Sequence, residues 1–364
     1  MTQRIINFNP GPCALPLPAL QTAQAELLDF QGTGMSIMEI SHRSKEYEAV
    51  HNEAKSLILE HLGFDAAEWD VLFLGGGAHL QFFMVPYNFL GDGRKADYVN
   101  TGTWSKGAIK EARLLFPEAI REAASTEADR FDHVPRWEEI EVDPQAAYVH
   151  LTSNNTIFGT QWPTLPTKSP VPVFVDMSSD FLARRIDGQA IDLIYAGAQK
   201  NAGPAGVTIV VLRKGAVERC RKGISAMLSY KTHLDANSLY NTPPCFSIYM
   251  VRNVMRWIRD SGGIDAIEAA NRKKGELLYG CLDRNPGFFK PHARPDSRSL
   301  MNVTFRLPSE EFEAKLIADA KKAGFQGLKG HRSVGGIRVS MYNAISVANI
   351  EALVSFLEEF ARTV

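Results

Sequence analysis

Lys200 lies in the segment IYAGAQKNAGPAGVTIVV (194–211), with Ala, Gly and Asn on both sides and Pro204 beyond. Small neighbours leave room for something bulky against the lysine. A desolvated lysine loses its charge more readily and becomes a nucleophile for carbonyl compounds. In a solvated Gly-rich turn it would be an ordinary surface cation. Asp176 closes the apolar run VPVFVDM, 24 residues before Lys200 (200 − 176 = 24). A carboxylate at the carboxyl end of a buried strand sits at the mouth of an α/β sheet, where ligands bind. It can hold a proton on a heterocyclic nitrogen, or simply cap the turn at Ser178 and Ser179.

The run FLGGGAHLQFF (73–83) reads as a strand, a glycine triplet and a helix. Bare glycine backbone and the free amides of a helix start make a phosphate cradle, although such turns also serve tight packing. Trp104, after the strand ending near Val99, could stack on a planar ligand or belong to the core. Thr156 again follows a strand end and could bond a ligand or an ordinary turn. Two His-Arg dipeptides remain, His42-Arg43 and His331-Arg332, with Arg338 six residues further on. The planar arginine fork suits carboxylate and phosphate.

Other chemistries fall away. No GxxxxGK follows the glycine triplet, and the GxGxxA match at 91–96 precedes a strand instead of following one, which rejects a dinucleotide fingerprint. There is no HExxH, the nine histidines are scattered, and the four cysteines (13, 220, 245, 281) show no CxxC spacing. No metal site is expected, and the thiols fit a reducing compartment. The net charge of −1 gives no bulk reason to bind nucleic acid or a membrane surface. The amino-terminal MTQRIINFNPGP lacks an apolar leader, and no run approaches 18 uninterrupted apolar residues. The expectation is a cytoplasmic enzyme.

The elements that must position these residues alternate. Helices are expected over 17–30 and 44–63, the latter capped by Ser44 and ended by Gly63. Strands are expected at 71–74, 96–102, 146–152, 171–177, 192–198 and 206–214, with a helix beginning near Ser105. Several strands are apolar on both faces, which points to a mainly parallel sheet covered by helices. At 364 residues two domains are expected, by a prior of roughly 150 residues each. The four prolines within 162–172 read as a surface loop, so the boundary is placed at Ser261-Gly262-Gly263, after a helical run at 246–260. Beyond it come a helix (264–284), a strand (300–307), a helix (309–323), a strand (337–342) and a last helix (347–362), an α+β pattern.

Taken together, NFNPGPCALP, SIMEISHRSKEY, the glycine triplet before Gln81-Phe82, YAGAQKNAGPAG, YNTPPCF and GHRSVGGIRVSMYNA resemble the phosphoserine aminotransferase family. That family belongs to the class V aminotransferases of the type I pyridoxal-phosphate fold, and the resemblance spans nearly the whole chain. It implies an α/β large domain over 16–262 with a mainly parallel seven-stranded sheet. It also implies a smaller α+β domain over 263–364 joined by the amino-terminal segment 1–15. By the same resemblance Lys200 would bind pyridoxal 5'-phosphate covalently, Asp176 would pair with its pyridine nitrogen and Trp104 would stack on its ring. Thr156 and Gln199 would make polar contacts to it, and Ala78 and His79 would lie in the loop holding its phosphate. Asn241 and Thr242 would reach the cofactor phosphate of a second copy, which makes the expected unit a homodimer with shared active sites. His42, Arg43, His331 and Arg332 would take the substrate's phosphate or side-chain carboxylate, and Arg338 its α-carboxylate. The implied reaction exchanges the amino group between glutamate and 3-phosphohydroxypyruvate. Some members also transaminate 4-phosphohydroxy-L-threonine in pyridoxal phosphate synthesis.

Within the fold the rivals are an alanine–glyoxylate type transaminase and a cysteine desulfurase. The desulfurase needs a mobile nucleophilic cysteine. Cys281 instead sits in a helical pattern and Cys245 lies beside Pro243-Pro244. A binding module that has lost catalysis would be favoured by missing Lys200, Asp176 or His-Arg pairs, and all are present.

Overall fold

A computed structural model describes residues 4–363 apart from Asp92. Seven strands form one sheet: β1 (Trp69–Leu74), β2 (Ala96–Asn100), β3 (Ile120–Ser125), β4 (Val149–Thr152), β5 (Val173–Asp176), β6 (Ile191–Gly197) and β7 (Thr208–Arg213). Their order is β1-β7-β6-β5-β4-β2-β3. Only β7 runs against its neighbours, pairing antiparallel with β1 and β6. The other four pairings are parallel, and β1 and β6 both run opposite to β7, so six carboxyl ends share one edge.

Strands covered on both faces need apolar side chains at every position. In β5, Val173, Phe174 and Val175 are fully buried, each contributing on the order of 1.5–3 kcal/mol through burial. One face packs on Ile58, Val254 and Ile258 of the helices Lys45–Leu62 and Cys245–Asp260. The other packs on Phe82, Val85 and Ile109 of the helices Gly77–Phe89 and Thr103–Leu115. Ser44 caps the helix Lys45–Leu62 by accepting from the Tyr47 amide at 3.3 Å, and Gly63 ends it at φ +71°.

The carboxyl-terminal part builds its own core. Strands Lys290–Pro291, Asn302–Arg306 and Ile337–Ser340 form an antiparallel sheet. The helices Glu310–Lys322 and Val347–Thr363 cover it through Leu316, Leu353 and Leu357. The amino terminus joins this core: Ile6–Asn7 pairs with Phe325–Gln326, and Phe8 is fully buried there. Helix Gly263–Arg284 connects the two parts. Its first turns give Ile264 and Ile267 to the sheet core, and its later turns give Leu278 and Leu282 to the other.

Besides the short strands Ile6–Asn7, Lys290–Pro291 and Phe325–Gln326, which the sequence pattern does not mark, two elements differ from expectation. The first helix stops at Ala25 instead of residue 30, because the chain turns at Gln31, Gly32 and Gly34, all at positive φ. Asp29 accepts from the Gly34 amide and Phe30 is buried, so the apolar spacing there anchors a loop. Strand β3 has no counterpart among the expected strands. It is the sheet edge, and its IREAAS sequence is exposed at Arg121 and Glu122. Charged edge strands avoid pairing with other chains and lose the apolar signal that reveals a strand.

Candidate active site

A cavity of about 250 Å³ opens at the carboxyl ends of the strands, the position expected of ligand sites in such sheets. Each wall is a strand end. After β1, the helix Gly77–Phe89 begins at the cavity, with Gly77, Ala78 and His79 in its lining. The first amides of a helix have no intrahelical acceptor, so they face an anion ready to bond it. Gly76 sits at φ +83°, and a Cβ there would lie 2.5 Å from Leu80 Cδ2. The turn into this helix therefore requires glycine.

After β2, Trp104 lies on the first turn of its helix, whose start is fixed by Ser105 Oγ accepting from the Thr101 and Gly102 amides at 2.9 Å. The indole of Trp104 stands edge-on to His79, with centroids 5.7 Å apart, and its Nε1 is buried without a partner among the described residues. Asn154 and Thr156 follow β4, Asp176 ends β5, and Gln199 and Lys200 follow β6.

Lys200 Nζ donates to Thr156 Oγ1 at 2.8 Å and lies 5.6 Å from the centre of the Trp104 ring. Burial lowers its pKa to about 8; Asp176 opposes that shift and Arg338 adds to it. Asp176 is 4% exposed and accepts from the Ser178 amide at 2.9 Å. Burial raises its pKa, against the pull of Ser178 and Lys200. Beneath it the chain is braced by buried Asp180, which accepts from Ser153 Oγ and from Gln161 Nε2 at 3.0 Å.

The carboxyl-terminal part closes the cavity with Arg338 and His331. Arg338, on the strand Ile337–Ser340, is 6% exposed; its Nη1 donates to the Thr156 carbonyl at 3.4 Å. Its Nε is buried without a partner, and no carboxylate pairs with it among the described residues. A buried, unpaired guanidinium is a site awaiting an anion, because removing it from water without a partner is costly. Burial, with Arg338 and Arg332 nearby, lowers the pKa of His331 and favours its neutral form. The amino-terminal segment completes the wall: Pro10 and Gly11 line it, and the Pro10 carbonyl accepts from Tyr342 OH at 2.8 Å. Sequence reasoning does not single out Pro10 and Gly11 as site positions. NFNPGP carries no chemical side chain that would have marked it.

The structure thus brings Lys200, Asp176, Trp104, Thr156, Gln199, Ala78, His79, His331 and Arg338 to one cavity. It leaves four other expected residues exposed and outside that lining within a single chain: Arg43, Arg332, Asn241 and Thr242. His42 is partly buried, also outside it, and its Nε2 has no partner among the described residues. Asn241 lines a separate cavity of about 270 Å³ against Gly75 and Gly76, behind the glycine triplet.

Residues 5–353 match the aminotransferase class-V family. The chain is 53% identical over 364 residues to a phosphoserine aminotransferase of Desulfosudis oleivorans, covering 100% of this chain and 99% of that one. A solved phosphoserine aminotransferase from Bacillus circulans subsp. alkalophilus superposes with a TM-score of 0.96 at 50% identity, over 100% and 99% of the two chains. A PLP-bound phosphoserine aminotransferase from Trichomonas vaginalis superposes at 0.91 with 36% identity, over 98% and 100%.

Proposed function

The chain belongs to the class V aminotransferases, and from that premise we propose that it exchanges the amino group between glutamate and 3-phosphohydroxypyruvate, forming O-phospho-L-serine and 2-oxoglutarate in serine biosynthesis. The observation that carries this reading is a depressed lysine, a buried aspartate and an unpaired arginine around one cavity. The cofactor is pyridoxal 5'-phosphate. The residues fit it: Trp104 offers a ring face, the start of helix Gly77–Phe89 offers amides to its phosphate, and Asp176 offers a carboxylate. When bound, pyridoxal phosphate supplies an aldehyde that takes the amino group and a pyridine that draws charge from Cα.

The chain's own groups do the rest. Lys200, with a pKa of about 8, is partly neutral near neutral pH and so can both attack a carbonyl and move the proton at the substrate's Cα. Asp176 keeps a proton on the pyridine nitrogen. Gln199 and Thr156 orient the ring, and Ala78 and His79 lie in the loop that binds its phosphate. Arg338 clamps the α-carboxylate through its free guanidinium edge.

The assembly we favour is a homodimer with shared active sites. Asn241 and Thr242 reach the cofactor phosphate of the second copy, and His42 and Arg43 join His331 and Arg332 around the substrate's phosphate or distal carboxylate. Exposed apolar side chains support a covered face: Leu28 is 85% exposed, and Met35, Met38 and Tyr240 are also exposed. We take 16–262 as the large cofactor-binding unit and 263–364 with 1–15 as the small one. We place the enzyme in the cytoplasm, in keeping with its four unbridged cysteines. No helix among the described residues is long and apolar enough to cross a membrane. Activity toward 4-phosphohydroxy-L-threonine is a second substrate reading for the same pocket.

The test is spectroscopic. Glutamate added to the holoenzyme should abolish the visible band of the lysine-bound cofactor and release about one 2-oxoglutarate per subunit; 3-phosphohydroxypyruvate should restore it. A band bleached by glutamate but not restored by the phosphorylated acid would move the substrate to another class V transaminase.

A further inference from the structure

The loop between Gly330 and Gly336 carries His331 and Arg332 at its apex. It closes on itself: the Gly330 amide donates to the Gly336 carbonyl at 2.8 Å, and the Val334 and Gly335 amides donate to the His331 carbonyl at 2.9 and 2.8 Å. His331 Nδ1 and Ser333 Oγ lie 2.7 Å apart. Beside Ser333, Val334 and Gly335 the structure is open. A cleft of about 780 Å³ runs there, with Ser333, Val334 and Gly335 on one wall and Phe158 and Lys290 on others. A segment with few buried contacts opens at low free energy unless something ties it down.

One side chain does. Arg306, at the end of strand Asn302–Arg306, donates from Nη1 to the Val334 carbonyl at 3.1 Å. Among the described residues this is the only side-chain hydrogen bond that reaches residues 331–336 from outside the loop. The guanidinium is itself anchored. Its Nε donates to Glu313 at 2.5 Å, and Glu313, nearly buried, also accepts from the Leu307 amide at 3.2 Å. The loop lies directly on this arginine: a Cβ at Gly336 would stand 2.6 Å from Arg306 Cδ, and one at Gly335 would stand 3.2 Å from Nη1. Both glycines have positive φ, so the close approach and the turn demand the same residue type.

We infer that Arg306, braced by Glu313, is the positioning residue that sets the substrate-binding geometry of His331 and Arg332. The inference rests on the proposed reading of that loop as the phosphate and carboxylate pocket. Arg306 touches no substrate atom; it fixes the reach of the two groups proposed to hold the substrate's phosphate or distal carboxylate, and misplacement by about 1 Å is enough to weaken such a site.

The test uses the holoenzyme and the variants Arg306→Ala, Arg306→Lys and Arg332→Ala. Arg306→Ala should raise KM for 3-phosphohydroxypyruvate about tenfold, with kcat changed less than about threefold, and leave the cofactor's visible band unaltered. Trypsin should also cut after Arg332 several-fold faster in Arg306→Ala than in the parent, a readout that needs no activity. Arg306→Lys, which keeps one donor, should restore part of both effects. An unchanged KM in Arg306→Ala while Arg332→Ala raises it would overturn the inference and leave the loop's role intact. An unchanged KM in both variants would overturn the loop's role and the inference together. A parallel loss of band and kcat in Arg306→Ala would mark a merely structural arginine and also overturn it.

Discussion

Lys200 and Arg338 meet on a single residue: Thr156 accepts from Lys200 Nζ through its hydroxyl at 2.8 Å and from Arg338 Nη1 through its carbonyl at 3.4 Å. The nucleophile and the anion clamp come from different parts of the chain and are held together by one turn after β4. Their proximity has an electrostatic consequence, since Arg338 adds to the burial that lowers the pKa of Lys200.

The first prediction concerns the apoenzyme. Only the neutral amine captures an aldehyde, so covalent capture of pyridoxal phosphate at Lys200 should rise with pH and level off above about 8. Borohydride trapping followed by peptide mass mapping reads the rate. A rate still climbing beyond pH 10 would mean that the lysine is not depressed.

Replacing Asp176 by Asn keeps the shape and removes the charge. We expect kcat to fall by roughly 10² or more while the holoenzyme still binds its cofactor. Buried Asp176 has no cationic partner at hydrogen-bond distance among the described residues. The thermal midpoint of the apoenzyme should therefore stay level or rise, because removing a buried unpaired carboxylate relieves its desolvation. Wild-type turnover in Asp176→Asn would falsify its assigned role.

Arg338→Ala should raise KM for both glutamate and 3-phosphohydroxypyruvate by roughly 30-fold or more, the cost of losing a buried charge pair of about 2–5 kcal/mol. Both substrates present an α-carboxylate to the same guanidinium edge. Arg338→Lys should not recover the loss, because an ammonium cannot reproduce the planar fork. A change confined to one substrate contradicts the clamp.

Lys274 carries a prediction about stability. It is fully buried, and its Nζ donates to the Met341 and Tyr342 carbonyls at 2.8 and 2.9 Å. Burial lowers its pKa to about 7 from an ordinary value of 10.5. Between those two values the unfolded chain binds a proton that the folded chain does not, so stability rises with pH across that window. The slope is at most about 1.4 kcal/mol per pH unit. Below pH 7 the folded protein bears the cost of the buried charge. Denaturant titrations from pH 7 to 9 should show a shallower rise for Lys274→Met than for the parent. Parallel curves would assign the slope to other groups.

The sequence was most legible where chemistry is written locally. Lys200 among small residues, Asp176 at a strand end and the glycine triplet before a helix each mark a site by their immediate neighbours. Apolar runs located six strands of the sheet, and capping residues located the ends of the helix Lys45–Leu62. Strand β3 escaped because an edge exposes its side chains, and the first helix was drawn too long because a buried loop anchor imitates helical spacing.

What tertiary structure alone decided is convergence. Arg338 reaches Thr156 across 182 residues and Asn343 accepts Asn271 Nδ2 across 72, distances over which no periodicity operates. Arg306 lies in the expected strand 300–307 and Lys274 in the expected helix 264–284, and neither pattern shows the loop that folds onto the one or the carbonyls 67 and 68 residues away that enclose the other. Local pattern reports the preference of a backbone for helix, strand or turn, and those preferences depend on near neighbours. The energy of a buried charge depends on which groups the completed fold packs around it, and only the closed structure determines that.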